Sequence, residues 1–306
     1  MNPLVFITKR SIPDSFMRLA KSISQPVVFY ISYSGLAGSG LEPTVSSAVL
    51  QDNFIRLEEL DLPRVHYWRP FVPQNSHPDV IAEILEFVSE HALCSAVNGL
   101  KLNDGIRDHV APFWPELMDI DYEFENVGDF WPAGVRNFLR EYAQGVRPDY
   151  PLFFDTACAL AFALRKPDIQ GALSGRECLD SQCPSAQRKK CHSAHQRPSL
   201  DLVRQAGEAV GIESANITMA DDVILVSSSV PTESLTYMRT VLRYPIKSMS
   251  VDYLGHNWAS NIDALQPIVE VPWRTPSVGN LLISTTGFDK KKTTEQFGCG
   301  CGDASI

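Results

Sequence analysis

Cys178, Cys183 and Cys191 fall within fourteen residues, spaced Cys-x₄-Cys-x₇-Cys, and Cys158 lies twenty residues upstream. Four thiolates at such spacing suit a [4Fe–4S] cluster or a tetrahedral zinc ion. A competing set replaces Cys158 with His195, because Cys191-x₃-His195 has the spacing of a Cys₃His zinc knuckle. The segment between these cysteines contains Gly171, Gly175 and Pro184 and is mostly polar. It has little apolar material for a core of its own, so a bound ion is the natural organiser. The chain has seven cysteines, an odd number, and 306 residues. Metal or redox chemistry therefore reads better than a disulfide framework. Cys94, where a helix meets a strand, reads as a small buried hydrophobe. Cys299-Gly-Cys301 reads either as a metal-binding or disulfide-exchanging pair or as part of a frayed tail with no fixed role.

The elements that must position these groups start as strand–helix alternation. Residues 4–8, 27–34, 65–71 and 95–100 are short apolar runs rich in β-branched and aromatic residues, the composition of strands. Between them, residues 11–24, 46–59 and 78–91 carry apolar side chains at helical spacing,. Three βα units in succession predict parallel strands joined by crossovers. Periodicity alone leaves a doubly wound sheet and part of a (β/α) barrel equally open.

From 105 to 157 the regularity fails among prolines, Trp114 and Trp131. Residues 119–125, DIDYEFE, alternate strictly and read as a half-buried strand with a solvated acidic face. A flat row of carboxylates does not supply the convergent oxygens a cation needs. Past the cysteines, helices at 199–210 and 232–243 alternate with strands at 222–229 and 248–253. The chain thus divides into an α/β region over 1–157, a cysteine-rich segment over 158–197, a small α/β module over 198–284 and a flexible tail over 285–306. Tyr253, His256, Asn257 and Trp258 in that module read either as a loop packed by its Trp or as an aromatic and polar recognition patch.

The formal charge of −9 and 44 % hydrophobic content are ordinary for a globular protein and disfavour broad nucleic-acid affinity, though a local basic groove stays possible. No apolar run is long enough to span a membrane. The order of charge and apolar residues at the start is wrong for a signal peptide, so the expectation is cytoplasmic. There is no Gly-x-Ser-x-Gly, His-Glu-x₂-His or phosphate loop, which removes the common hydrolase signatures. Residues 35–40, GLAGSG, lack the Gly-Lys-[Ser/Thr] ending of a phosphate loop and read as a flexible βα loop.

The succession of loop motifs resembles the radical S-adenosylmethionine (SAM) superfamily. Thr8-Lys9 follows the first strand, Ser32-Tyr33-Ser34 ends the second, and Glu42-Pro43 precedes a helix that contains Arg56. Arg69-Pro70-Phe71-Val72-Pro73-Gln74-Asn75 follows the third strand, and Asn98 lies near the end of the fourth. The resemblance covers roughly residues 3–105. It implies a partial (β/α) barrel of parallel strands, here its third to sixth. Ser32, Ser34, Arg69 and Asn98 would face SAM at the carboxyl ends of the strands, where such barrels build their sites. It also implies that Cys158, Cys178, Cys183 and Cys191 hold an auxiliary [4Fe–4S] cluster. The family's activating motif, Cys-x₃-Cys-x₂-Cys, does not occur in this sequence. The resemblance therefore implies a second polypeptide, or a missing amino-terminal half, that completes the barrel. The alternative is a non-catalytic zinc-binding structural or interaction protein.

Overall fold

Val27–Ser32, VVFYIS, is β-branched and aromatic with no polar face, and every residue of it is buried. That is the pattern of a strand covered on both sides. In the computed structural model it is β2, next to the edge of a five-stranded parallel sheet. The structure describes residues 3–43, 46–120, 129–168, 183–194, 196–220, 223–244, 246–248 and 268–273. The sheet comprises β1 (Leu4–Thr8), β2, β3 (Arg64–Trp68), β4 (Ser95–Val97) and β6 (Leu152–Phe153) in that order. Leu4 pairs with Val27, Phe29 with Arg64, His66 with Ser95, and Ser95 with Leu152, all in parallel register.

Four helices cover one face: α1 (Asp14–Ser22), α2 (Ser47–Glu59), α3 (Pro78–His91) and α5 (Val135–Val146). Met17, Leu50, Phe54, Leu57, Ile81, Val88 and Leu139 meet Phe29, Ile31, Trp68 and Val97 in a single core. The opposite face is covered by α6 (Thr156–Ala163). There Cys158, Ala159 and Ala163 pack on Val28, Tyr30, Val65, Tyr67, Ala96 and Phe153. Tyr30 donates its hydroxyl to Thr156 O at 2.8 Å, fastening α6 to the sheet. Sequential strand order with successive crossover helices on one face is singly wound. Among the described residues the sheet is open, and nothing pairs with the outer edge of β1 or of β6.

The prolines between 105 and 157 bound elements rather than abolish them. Pro115 opens a 3-10 turn (Pro115–Asp119), and Pro132 closes β5 (Asp129–Pro132). Pro148 and Pro151 lie in the link from α5 to β6. Proline is tolerated at such boundaries because its missing N–H is not needed there. This stretch, read as irregular from sequence, thus holds α4 (Asp104–Val110), β5, α5 and β6. Of the expected acidic strand over 119–125, Asp119 ends the 3-10 turn and residues 121–125 lie outside the described residues.

A further core belongs to α8 (Leu200–Glu208), β7 (Ile217–Met219), β8 (Ile224–Val226), α9 (Thr232–Leu242) and β9 (Ile246–Ser248). Val203, Ile212, Ile224, Val226, Leu235, Met238 and Ile246 pack together there. β7 runs antiparallel to β8, and β9 parallel to it. β9 begins two residues before the expected 248–253. β10 (Ile268–Val271), expected within the small module, instead pairs in parallel with β5. That ribbon lies on the carboxyl edge of the main sheet, where Phe130 and Val271 pack with Leu36, Val72, Leu100, Val110 and Trp114. Gly99 permits the contact: a Cβ there would meet Phe130 O at 2.5 Å and Trp131 Nε1 at 2.6 Å. Among the described residues no helix is long and apolar enough to cross a membrane. The tail over 285–306 and the Tyr253–Trp258 patch lie outside them.

Candidate functional site

In a parallel sheet every strand points its carboxyl end to the same side, so residues just past the strands share one edge. Ligands in open α/β sheets bind there. In this chain those residues are Lys9 after β1, Ser34 after β2, Arg69 after β3, and Asn98 and Lys101 after β4. A cavity of about 440 Å³ opens at this edge, inside the range of about 300–1,000 Å³ that small-molecule sites occupy,. Its polar lining comes from Thr8, Lys9, Ser32, Glu42, Tyr67, Arg69, Lys101 and His109. Its apolar lining includes Ile7, Leu36, Leu41, Val72, Leu100 and Val110. Four of these apolar residues belong to the core under the β5–β10 ribbon, so that ribbon supports the cavity.

The charges are arranged unevenly. Lys9 is ion-paired with Glu42, which also accepts a hydrogen bond from Ser34. Lys101 is paired with Asp129 at 2.9 Å. Arg69 is half-buried and donates to the Tyr67 hydroxyl at 2.9 Å, its guanidinium 5.4 Å from that ring's centre. Among the described residues it has no carboxylate partner. His109, on α4, bonds Leu41 O at 3.2 Å and joins the helix wall to the loop over 35–43. The cavity thus offers a Lys9–Glu42 ion pair, a guanidinium with no carboxylate partner among the described residues and an apolar floor, which suits a ligand with a carboxylate and a flat apolar body,.

Of the residues the resemblance nominates, Ser32 and Arg69 line this cavity. Ser32 is buried, with its hydroxyl 3.4 Å from Arg69 O. Ser34 does not line it. Fully buried, it holds Glu42 and accepts the Leu36 N–H at 3.2 Å, so it acts through Glu42. Asn98 turns away to Asp129, 3.5 Å from its amide nitrogen, and its buried Oδ1 has no hydrogen-bond partner among the described residues. Arg56 reaches Ile12 O, Asp14 and Asp52 and ties α1 to α2, outside the cavity. Lys101 and His109 were not picked out from sequence. Their signal is position alone: Lys101 follows the fourth strand, and His109 sits one helix on.

The thiols occupy helices and their edges. Cys158 lies on α6, Cys183 just before α7 (Ser185–Ala194), and Cys191 on α7, all buried. Cys158 and Cys183 share one apolar cluster. Cys191 Sγ accepts the Asp168 N–H at 3.2 Å, with Gln187 Nε2 at 3.6 Å. Among the described residues no three Cys, His, Asp or Glu side chains gather at one point. Cys178 and His195 lie outside the described residues. The described thiols alone do not fit a cluster or a zinc ion, and no chemical step is drawn through either. Cys94 is fully buried as expected, and burial pushes its thiol well above the usual range,.

Behind the cavity wall lies a buried polar relay. His66 Nε2 is 2.7 Å from Tyr33 O, and Nδ1 is 2.8 Å from Ser95 Oγ, itself 3.0 Å from the Tyr150 hydroxyl. A carbonyl can only accept, so Nε2 carries the proton. Nδ1 then accepts from Ser95, and Ser95 accepts from Tyr150. Complete burial holds His66 down at about 4, partly opposed by its bond to Tyr33, and pushes Tyr150 well above the usual phenol range. The relay is satisfied at every atom and does not touch the cavity, so it is architecture. Compared with family models, with curated proteins and with solved structures, the chain matches none of them, and its functional reading rests on this geometry.

Proposed function

We propose that the chain is part of a SAM-dependent radical enzyme, that the cavity at the carboxyl edge of the sheet binds SAM, and that a second polypeptide completes the barrel. One observation carries this reading. Ser32 and Glu42 from the β2–α2 connection and Arg69 from the β3–α3 connection are all residues of the resemblance's motifs, and they line one cavity. The fit is chemical as well as positional. Arg69 lacks a carboxylate among the described residues, and a guanidinium fork matches a ligand carboxylate. Glu42, ion-paired with Lys9, sets the polar rim of the cavity, while Leu36, Leu41, Val72 and Leu100 exclude water from an apolar ring. Bound SAM, given an electron, supplies the radical chemistry of that family. The residues here bind and orient it, and Ser34 fixes Glu42 for that role.

The open sheet supports the second polypeptide. β1, LVFIT, carries no charge, proline or bulge, the devices by which edges are normally protected,. Leu4 N–H bonds toward β2, so by alternation the N–H and C=O of Val5 and Ile7 point outward,. Both side chains are also exposed, Ile7 at 62 %.

Isothermal titration of the folded chain with SAM tests the reading. Binding is expected, with Arg69→Ala weakening it roughly 10-fold or more, as loss of a charge-assisted hydrogen bond of about 1.5–3 kcal/mol requires. Circular dichroism establishes that the variant is folded. No binding to the folded wild-type chain, or equal binding by the variant, removes SAM from this cavity.

A further inference from the structure

Arg69 follows β3, and its guanidinium folds back over the ring of Tyr67. It donates to the Tyr67 hydroxyl at 2.9 Å, with its carbon 5.4 Å from the ring centre. The ring is fixed from behind. It is 7 % exposed and packs edge-on against Tyr30 at 5.6 Å, and Tyr30 is itself held by its bond to Thr156 O. Ser32, opposite Tyr67 across the β2–β3 ladder, has its hydroxyl 3.4 Å from the Arg69 carbonyl. Tyr67 thus sets both the plane and the place of the guanidinium, and all three residues line the cavity.

The direction of the hydrogen bond decides what is left over. A guanidinium can only donate, so the Tyr67 oxygen is the acceptor and its own hydrogen is not spent on this bond,. Among the described residues no acceptor takes that hydrogen, and Arg69 keeps further N–H groups. Two adjacent donors, one charged and one neutral, therefore lie at the cavity wall, and a carboxylate can accept from both at once. We infer that Tyr67 is the specificity-determining partner of Arg69, and that the two form a clamp selecting a ligand with a carboxylate over the same ligand without it. The inference deepens the SAM reading and rests on it. A ligand without the carboxylate leaves both donors unmet, and a site built to hydrogen-bond a group rejects the analogue that lacks it.

Isothermal titration of the full chain with SAM and with decarboxylated SAM, which keeps the ammonium, the sulfonium and the adenosine, tests the clamp. The wild type should prefer SAM by roughly 10-fold or more, as hydrogen bonds to a charged group require. Tyr67→Phe retains the ring and removes only the hydroxyl. It should weaken SAM binding roughly 10-fold and change binding of decarboxylated SAM less than about 2-fold. A purely structural role would weaken both ligands alike. Arg69→Lys keeps the charge, loses the fork and should also shrink the preference; it takes the place of Tyr67→Phe if circular dichroism shows that variant unfolded. An unchanged preference in a folded variant, equal weakening of both ligands, or a wild type without preference overturns the inference and leaves SAM in the cavity. No SAM binding by the wild type removes the cavity reading and the clamp with it.

Discussion

Lowering the pH should destabilise this protein through His66 in a way that can be separated from its carboxylates. The ring is fully buried between Tyr33 O and Ser95 Oγ and is neutral in the folded state. Its folded pKa is pushed down to about 4 from an ordinary 6.5,. A depressed histidine works against the fold under acid conditions, because the unfolded chain takes up a proton that the folded chain refuses. The stability this neutral ring protects is present in full above pH 6.5 and is lost progressively as pH falls toward 4. At about 1.36 kcal/mol per unit, the shift amounts to roughly 3 kcal/mol at its limit and about 2 kcal/mol by pH 5. That is a large part of a typical stability of about 5–15 kcal/mol. Urea unfolding at pH 7 and pH 5, for the wild type and His66→Gln, isolates the effect, since both carry the same carboxylates. The wild-type advantage at pH 7 should shrink by about 2 kcal/mol at pH 5. Should His66→Gln fold poorly, the ring Cε1 proton resonance reads the same quantity directly. An advantage that is constant between the two pH values, or a His66 resonance titrating above pH 6, would refute the reasoning.

The outer edge of β1 should make the wild-type chain self-associate with rising concentration in sedimentation velocity, and Val5→Lys should suppress this; equal behaviour would mean that edge is covered. Gly99→Ala should cost about 1–3 kcal/mol in urea unfolding, because its Cβ meets backbone Phe130 O and the Trp131 indole at 2.5–2.6 Å,. An unchanged midpoint would show that the β4–β5 contact yields freely. Anaerobically purified protein should contain about four irons and four sulfides per chain, lost on Cys183→Ala and Cys191→Ala, if the cysteine segment holds a cluster. About one zinc and no iron would turn the reading to the non-catalytic alternative.

The first half of the sheet was legible because its signals are local. VVFYIS reads as a strand from its β-branched and aromatic residues, and α3 runs over 78–91 as expected because Pro78 sets its start and Val80, Ile81, Ile84, Leu85 and Val88 form its stripe. β5 and β10 were not legible, being four residues each and defined by pairing across the chain. The same distinction holds in the site. Ser32 ends β2 and Arg69 follows β3, and both line the cavity. Ser34 and Asn98 also follow strands, yet turn to Glu42 and Asp129, partners that only the fold supplies. Which face α6 covers was equally hidden, because its hydrophobic residues surround the helix and mark no stripe.

The β5–β10 ribbon also sets a schedule for the growing chain. Trp273, which bonds Ala133 O, is made 140 residues after it. At roughly 5–20 residues per second, β5 waits on the order of ten seconds for its partner strand. During that interval Phe130 and Trp131, buried in the finished protein, have lost the ribosome's shelter without gaining their own. The β7–β9 unit is made in the same interval and has a separate core to condense. Synthesis arrested anywhere in that unit would therefore release a chain whose sheet is assembled but whose β5 has no partner strand, a vulnerable product for proteases and chaperones to meet first.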